Sequence, residues 1–235
     1  MNNILIKEFE KQVKIQGSEP ALITENLTIS YKELDRLSNQ LANRLDELGI
    51  SEGDTVALLF PKGVEFIYSL FALLKIGATY LPLDTQYPDD RIKYLIKNSD
   101  AKCILSLSDN SLFNCSIPLI KVGDKELENY SKEFNLRVNN PNVNIYKLFT
   151  SGSTGDPKGV VIKNNGFMNL VEWYKTTLNL STKDTVFLSA SVSFDLAQKN
   201  IFAPLLSGSK LFISEKQSLD YIEMVDLIER FNITV

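Results

Sequence analysis

The chain has 235 residues, 44% of them hydrophobic, and a formal net charge of −4; a chain of this size buries roughly 70–75% of the surface its unfolded form exposes, which argues against disorder. The mild negative charge, without any lysine- or arginine-rich block, excludes the electrostatic footprint of a nucleic-acid partner. Histidine is missing altogether, which excludes Ser-His and Cys-His nucleophilic catalysis, imidazole zinc ligation and histidine acid–base chemistry, and leaves carboxylates, lysines, backbone dipoles or a bound cation.

Residues 1–17 carry charges every few positions and lack the apolar region of a signal peptide. A helix is expected from Ser30: Ser30 and Glu33 have capping-box spacing, Leu34, Leu37, Leu41, Leu45 and Leu48 form one apolar stripe, and Gly49 stands where a C-terminal glycine belongs. A buried strand over 55–60 is broken by Pro61-Lys62-Gly63. A strongly apolar helix over 64–76 ends at Gly77, and a strand follows over 79–83. Pro88 opens another helix, with Ile92, Leu95 and Ile96 on one face, and 101–105 reads as a fourth buried strand. The apolar run 67–74 is far short of the ~20 residues of a membrane span, so no membrane partner is expected. Cys103 and Cys115 fit no metal or disulfide framework and read as reduced thiols, which points to a cytoplasmic setting.

Residues 106–144 are rich in serine, asparagine and charge apart from an apolar patch near 117–122, so a subdomain boundary is expected at about 107–144. Beyond it strands over 145–149, 159–162, 185–190 and 210–213 alternate with helices near 166–178, 199–206 and 218–231. Short buried strands alternating with helices predict an α/β fold, with largely parallel sheets flanked by helices. The last residues, 233–235, look like the opening of a further strand, so the domain is expected to be incomplete.

The sharpest local signal is the run TSGSTGDPKG, residues 150–159. Its glycines let successive backbone N–H groups converge on an anion, the hydroxyls of Thr150, Ser151, Ser153 and Thr154 add donors, and Lys158 adds a full charge. Each hydrogen bond to a charged phosphate contributes roughly 1.5–3 kcal/mol. Neither G-x-x-x-x-G-K-[ST] nor G-x-G-x-x-G fits, since the glycines lie at 152, 155 and 159 and the loop joins two strand candidates. The bland alternative is a surface hairpin of small polar residues. The ordered ending at Asp156-Pro157-Lys158-Gly159, hard against the apolar residues 160–162, speaks for the phosphate loop.

Residues 150–160, TSGSTGDPKGV, are similar to the phosphate-loop signature of the adenylate-forming superfamily. Residues 27–34 (LTISYKEL) and 74–84 (LKIGATYLPLD, continued by Tyr87-Pro88 and Arg91) resemble the first two core motifs of nonribosomal peptide synthetase adenylation domains. Phe194-Asp195-Leu196-Ala197 resembles their F-D-x-S motif. The resemblance covers nearly the whole chain. It implies that residues 1–235 are an incomplete large N-terminal domain, with the rest of that domain and the C-terminal lid domain absent. The implied reaction joins an amino-acid carboxylate to ATP-Mg²⁺, giving aminoacyl-AMP and pyrophosphate, and passes the acyl group to the phosphopantetheine thiol of a peptidyl carrier protein. Thr150, Ser151, Gly152, Ser153, Thr154, Gly155 and Lys158 are then the ATP phosphate-binding residues. Asp195 holds the substrate ammonium, and Leu196 and Lys199 line the side-chain pocket. The catalytic lysine falls beyond the chain, and no metal-binding residue is assigned.

Asn164, Lys147 and Ala197 depart from the family pattern. A cation such as Lys199 in a partly apolar pocket needs an anion, which suggests glutamate or aspartate as substrate unless Lys199 simply points to solvent. Asp195 has a plain alternative as a helix N-cap. An acyl- or aryl-acid ligase of the same superfamily and a non-catalytic remnant remain as rival readings.

Overall fold

The computed structural model describes residues 4–108, 117–123, 125–136, 142–150 and 157–235. The elements in chain order are helix α1 (Ile4–Gln16), strands β1 (Pro20–Ile23) and β2 (Thr28–Ser30), α2 (Tyr31–Glu47), β3 (Thr55–Leu59), α3 (Val64–Ile76), β4 (Thr79–Leu83), α4 (Asp89–Lys97), β5 (Ala101–Ser106) and β6 (Leu119–Lys121). After a 3₁₀ turn (Lys125–Asn129) come β7 (Asn144–Thr150), β8 (Lys158–Lys163), α5 (Asn164–Thr177), β9 (Thr185–Phe187), α6 (Asp195–Ser207), β10 (Lys210–Phe212) and α7 (Tyr221–Arg230).

Among the described residues two sheets form, one in the order β2-β1-β10-β9 and one in the order β6-β5-β3-β4-β7-β8. Pairing is parallel except for β1–β2 and β7–β8. Alternation along the strands explains the layering, because successive side chains point to opposite faces. In β3, Val56 and Leu58 join the large core with α1, α2, α3, α5 and α6, whereas Ala57 and Leu59 pack with Ile92, Leu95 and Ile96 of α4. In β10, Leu211 joins the same large core while Phe212 packs with Leu227 of α7. The fold is therefore five layers: α4, the larger sheet, a middle layer of helices, the smaller sheet, and α7.

α3 lies in that middle layer, and every residue of it but Glu65 is buried. Hence its sequence is apolar on all sides rather than striped. An aromatic series, Phe9–Phe71–Phe202–Phe167–Tyr146–Tyr80, crosses from α1 to the larger sheet with ring centroids 4.2–5.7 Å apart.

The helix expected from Ser30 is confirmed, since the Ser30 hydroxyl accepts from the Glu33 N–H. Residues 1–17, for which the sequence reading offers no element, form α1 on the buried stripe Leu5, Ile6 and Phe9, and the short strands β1 and β2 follow. Two expectations need correction. α6 begins at Asp195 rather than near residue 199, so Asp195 lies in the first turn and Phe194 occupies the cap position, which removes the N-cap alternative for Asp195. α7 begins at Tyr221 because Asp220 and Glu223 close a capping box there.

The stretch 107–144 leaves β5, contributes β6, and returns at β7 to the same sheet. Within it the carbonyls of Ser131, Lys132 and Glu133 accept hydrogen bonds from Asn39 and Asn43 of α2. At the other end, the Phe187 N–H bonds to the Val235 carbonyl and the Thr234 N–H to the Thr185 carbonyl, so residues 234–235 run along β9.

Candidate active site

The loop singled out in the sequence connects β7 and β8, which pair antiparallel in register Thr150↔Lys158 and Phe149↔Gly159. Ser151, Gly152, Ser153, Thr154 and Gly155 lie outside the described residues, whereas Thr150 and Lys158 form the last rung of the stem beneath them. At Gly159 a Cβ would come within 2.9 Å of Lys147 Cε and 3.4 Å of the Phe149 ring, so a larger residue there would displace the flexible end of Lys147. Lys147 is itself accommodated by donating to the Ser99 carbonyl at 3.0 Å. β8 has no buried residue, and Val160 and Val161 are exposed.

From this stem β8 runs into the wall of an open groove of about 530 Å³. Val161, Ile162 and Lys163 form that wall, Gly166, Phe167 and Leu170 of α5 continue it, Tyr146 of β7 lies at its base, and Asp195, Leu196 and Lys199 of α6 face them. Leu196 and Phe194 are both exposed. The structure thus brings together all three substrate residues expected from the sequence, within the first turn or so of α6. It adds Tyr146, Phe167 and Leu170, which sequence reading missed. Tyr146 was visible only as a member of the strand leading into the loop, and nothing local marked Phe167 or Leu170 as lining residues rather than core.

Electrostatics in the groove are set by burial and by Asp195. Burial and then the charge of Asp195 push the Tyr146 hydroxyl up to about 12. Burial lowers the Lys199 ammonium while Asp195 opposes that shift. Lys199 Nζ lies 4.4 Å from the centroid of the Tyr174 ring and donates to the neutral Asn200 side chain at 3.1 Å. Asn164, one of the departures from the family pattern, is fully buried with neither amide atom hydrogen-bonded.

The profile of the AMP-binding enzyme family matches residues 9–235. The chain belongs to the AMP-binding enzyme family. Tyrocidine synthase 1 of Brevibacillus parabrevis is 34% identical over 215 residues, covering 90% of this chain and 20% of that protein. The NpsA N-terminal subdomain of Klebsiella oxytoca, in complex with 3-hydroxyanthranilyl-AMSN, superposes with a TM-score of 0.88 at 27% identity, covering 97% of this chain and 58% of that one. NpsA-ThdA, an artificially fused adenylation–PCP di-domain from the same organism, gives a TM-score of 0.90 at 26% identity over 98% of this chain and 46% of that one. The chain therefore matches the N-terminal portion of a nonribosomal peptide synthetase adenylation domain, and it spans between 4% and 41% of the length of curated relatives it matches.

Proposed function

We propose that this AMP-binding chain, as part of a longer cytoplasmic enzyme, activates an amino acid as aminoacyl-AMP and hands it to the phosphopantetheine thiol of a peptidyl carrier protein. One observation carries the reading. A single strand, β8, starts at Lys158 beside the loop and ends in the groove wall that faces the Asp195 carboxylate. Donors for phosphate and an acceptor for an ammonium are thereby presented along one path.

The donor set fits a nucleotide triphosphate. Lys158 is exposed and has no ion pair among the described residues, and Thr150 adds a hydroxyl at the opposite end of the rung. ATP, brought in with Mg²⁺, supplies the α-phosphorus and a pyrophosphate leaving group. Thr150, Ser151, Gly152, Ser153, Thr154, Gly155 and Lys158 hold its β- and γ-phosphates, so the loop's contribution is positioning and neutralisation of charge on phosphate oxygens. Asp195 accepts the substrate ammonium and thereby aims the carboxylate, while Tyr146 and Phe167 exclude water from one side of the groove. Leu196 and Lys199 line the side-chain end. With Asp195 engaged by the ammonium, the Lys199 cation calls for an anionic side chain, which points to glutamate or aspartate.

Amino-acid-dependent ATP–pyrophosphate exchange tests this in a complete enzyme carrying residues 1–235. Lys158→Ala is expected to slow exchange at least about tenfold, and Asp195→Ala to abolish amino-acid dependence while sparing ATP binding. Glutamate or aspartate is expected to head a substrate panel. Preference for a large apolar or cationic amino acid removes the acidic reading. Normal activation by the Asp195→Ala enzyme removes the amino-acid reading and favours an aryl-acid ligase, a second possibility supported by the largely apolar, aromatic groove.

A further inference from the structure

Asp195 reaches the groove at the end of an irregular segment, residues 188–194, between β9 and α6. The polar partners of that segment come largely from β4 and the loop after it. Asp84 follows β4 directly, and its Oδ2 accepts from Ser191 Oγ at 2.6 Å while its Oδ1 accepts from the Gln86 N–H at 2.9 Å. The Ser191 and Ser193 hydroxyls share a hydrogen bond of 3.0 Å, and Tyr87 OH shares one of 2.9 Å with Ser193 Oγ. One turn into α6, buried Gln198 donates to the Val192 carbonyl at 2.8 Å and accepts from the Tyr80 hydroxyl of β4 at 2.6 Å. β4 is also the strand against which β7 pairs, Tyr80 opposite Tyr146, and β7 is the first arm of the loop's stem.

We propose that Asp84 and Tyr87 are positioning residues that hold residues 191–194 in the course that turns Asp195 into the groove, so that β4 carries both this anchor and the strand β7 beside it. The proposal rests on the reading of Asp195 as the ammonium-binding carboxylate. The physical reason is preorganisation: a segment ordered before the substrate arrives leaves less ordering to be done on binding.

Hydrogen exchange on the 1–235 chain reads the anchor directly. Tyr87→Phe and Ser191→Ala are each expected to speed exchange within residues 188–197 by about three- to tenfold while α3 stays protected. In a complete enzyme carrying residues 1–235, the same variants are expected to raise the amino-acid KM by about that factor, with kcat and the KM for ATP unchanged. Unaltered exchange in 188–197 overturns the proposal. Exchange that rises equally in α3, or KM values for both substrates that rise together, shows a merely structural contact and overturns it too. Asp195→Asn separates the two ideas. If that variant keeps its amino-acid KM, the substrate reading fails, while the exchange arm still decides whether Asp84 and Tyr87 anchor the segment.

Discussion

Two lysines sit in the helix layer, one in the seam between α2 and α3 and one in the groove between α5 and α6, and their surroundings differ in kind. Lys75 is 1% exposed. Its ammonium donates to Asp35 Oδ1 at 2.6 Å, to Ser38 Oγ at 2.7 Å and to Asn39 Oδ1 at 2.6 Å, so each of its three protons has an acceptor. Burial lowers its proton affinity and the Asp35 carboxylate opposes that shift. Lys199 has an aromatic ring and one neutral amide oxygen, and the nearby carboxylate, Asp195, faces the groove as well. The seam's polar network closes on itself and therefore serves the fold. In the groove the Lys199 ammonium has no carboxylate within ion-pair distance among the described residues, which is the feature on which the proposed choice of an anionic side chain rests.

The comparison is broken most severely at the seam. Lys75→Ala removes a buried side chain and leaves the buried Ser38 and Asn39 acceptors without their donor, and is expected to cost about 2–4 kcal/mol in urea unfolding. A cost below about 1 kcal/mol would mean that the seam is no more structural than the groove. Tyr80→Phe leaves the buried Gln198 oxygen without its donor, an expected loss of about 1–3 kcal/mol by the same measurement.

A smaller effect is expected from acid at the turn before β3. Burial by itself raises the Asp54 carboxyl, but bonds from Lys102 and Ser51 outweigh it and hold it below its ordinary value. A depressed folded-state value gives stability that is present above the ordinary carboxylate range and is lost as pH falls through the lowered value. Asp54→Asn should flatten that part of the stability–pH curve, and an unchanged acid limb would count against the assignment. The smallest effect belongs to the groove: Lys199→Met should change stability by no more than about 0.5 kcal/mol. A loss above about 2 kcal/mol would show that Lys199 is packed for structure and would remove it from substrate selection.

Much of the scaffold was legible in the amino-acid order. Strong apolar runs bounded by Gly and Pro placed α3 and β4 at the residues where they form, and Ser30 with Gly49 marked the ends of α2. α1 was missed because the charges of residues 7–11 break up the short stripe that its buried face requires. The start of α6 was misplaced because Phe194 caps it without a side-chain hydrogen bond, so no polar signal announces the first turn. For the site, the loop and Asp195 were visible as motifs, whereas Tyr146, Phe167 and Leu170 carried no local mark of exposure to a groove.

The sequence by itself determined the α/β alternation, the family resemblance and the donor-rich loop, since these follow from residues a few positions apart, where helical stripes, strand alternation and glycine-bearing turns are written. Only the tertiary structure decided that the loop closes an antiparallel hairpin, that Asp195 and Lys199 share a groove with Tyr146, and that Asp84 holds Ser191 from 107 residues away. Those contacts join residues distant along the chain, and neither partner's local pattern specifies the other. They arise when β4, β7 and α6 are stacked into layers that bury their apolar faces.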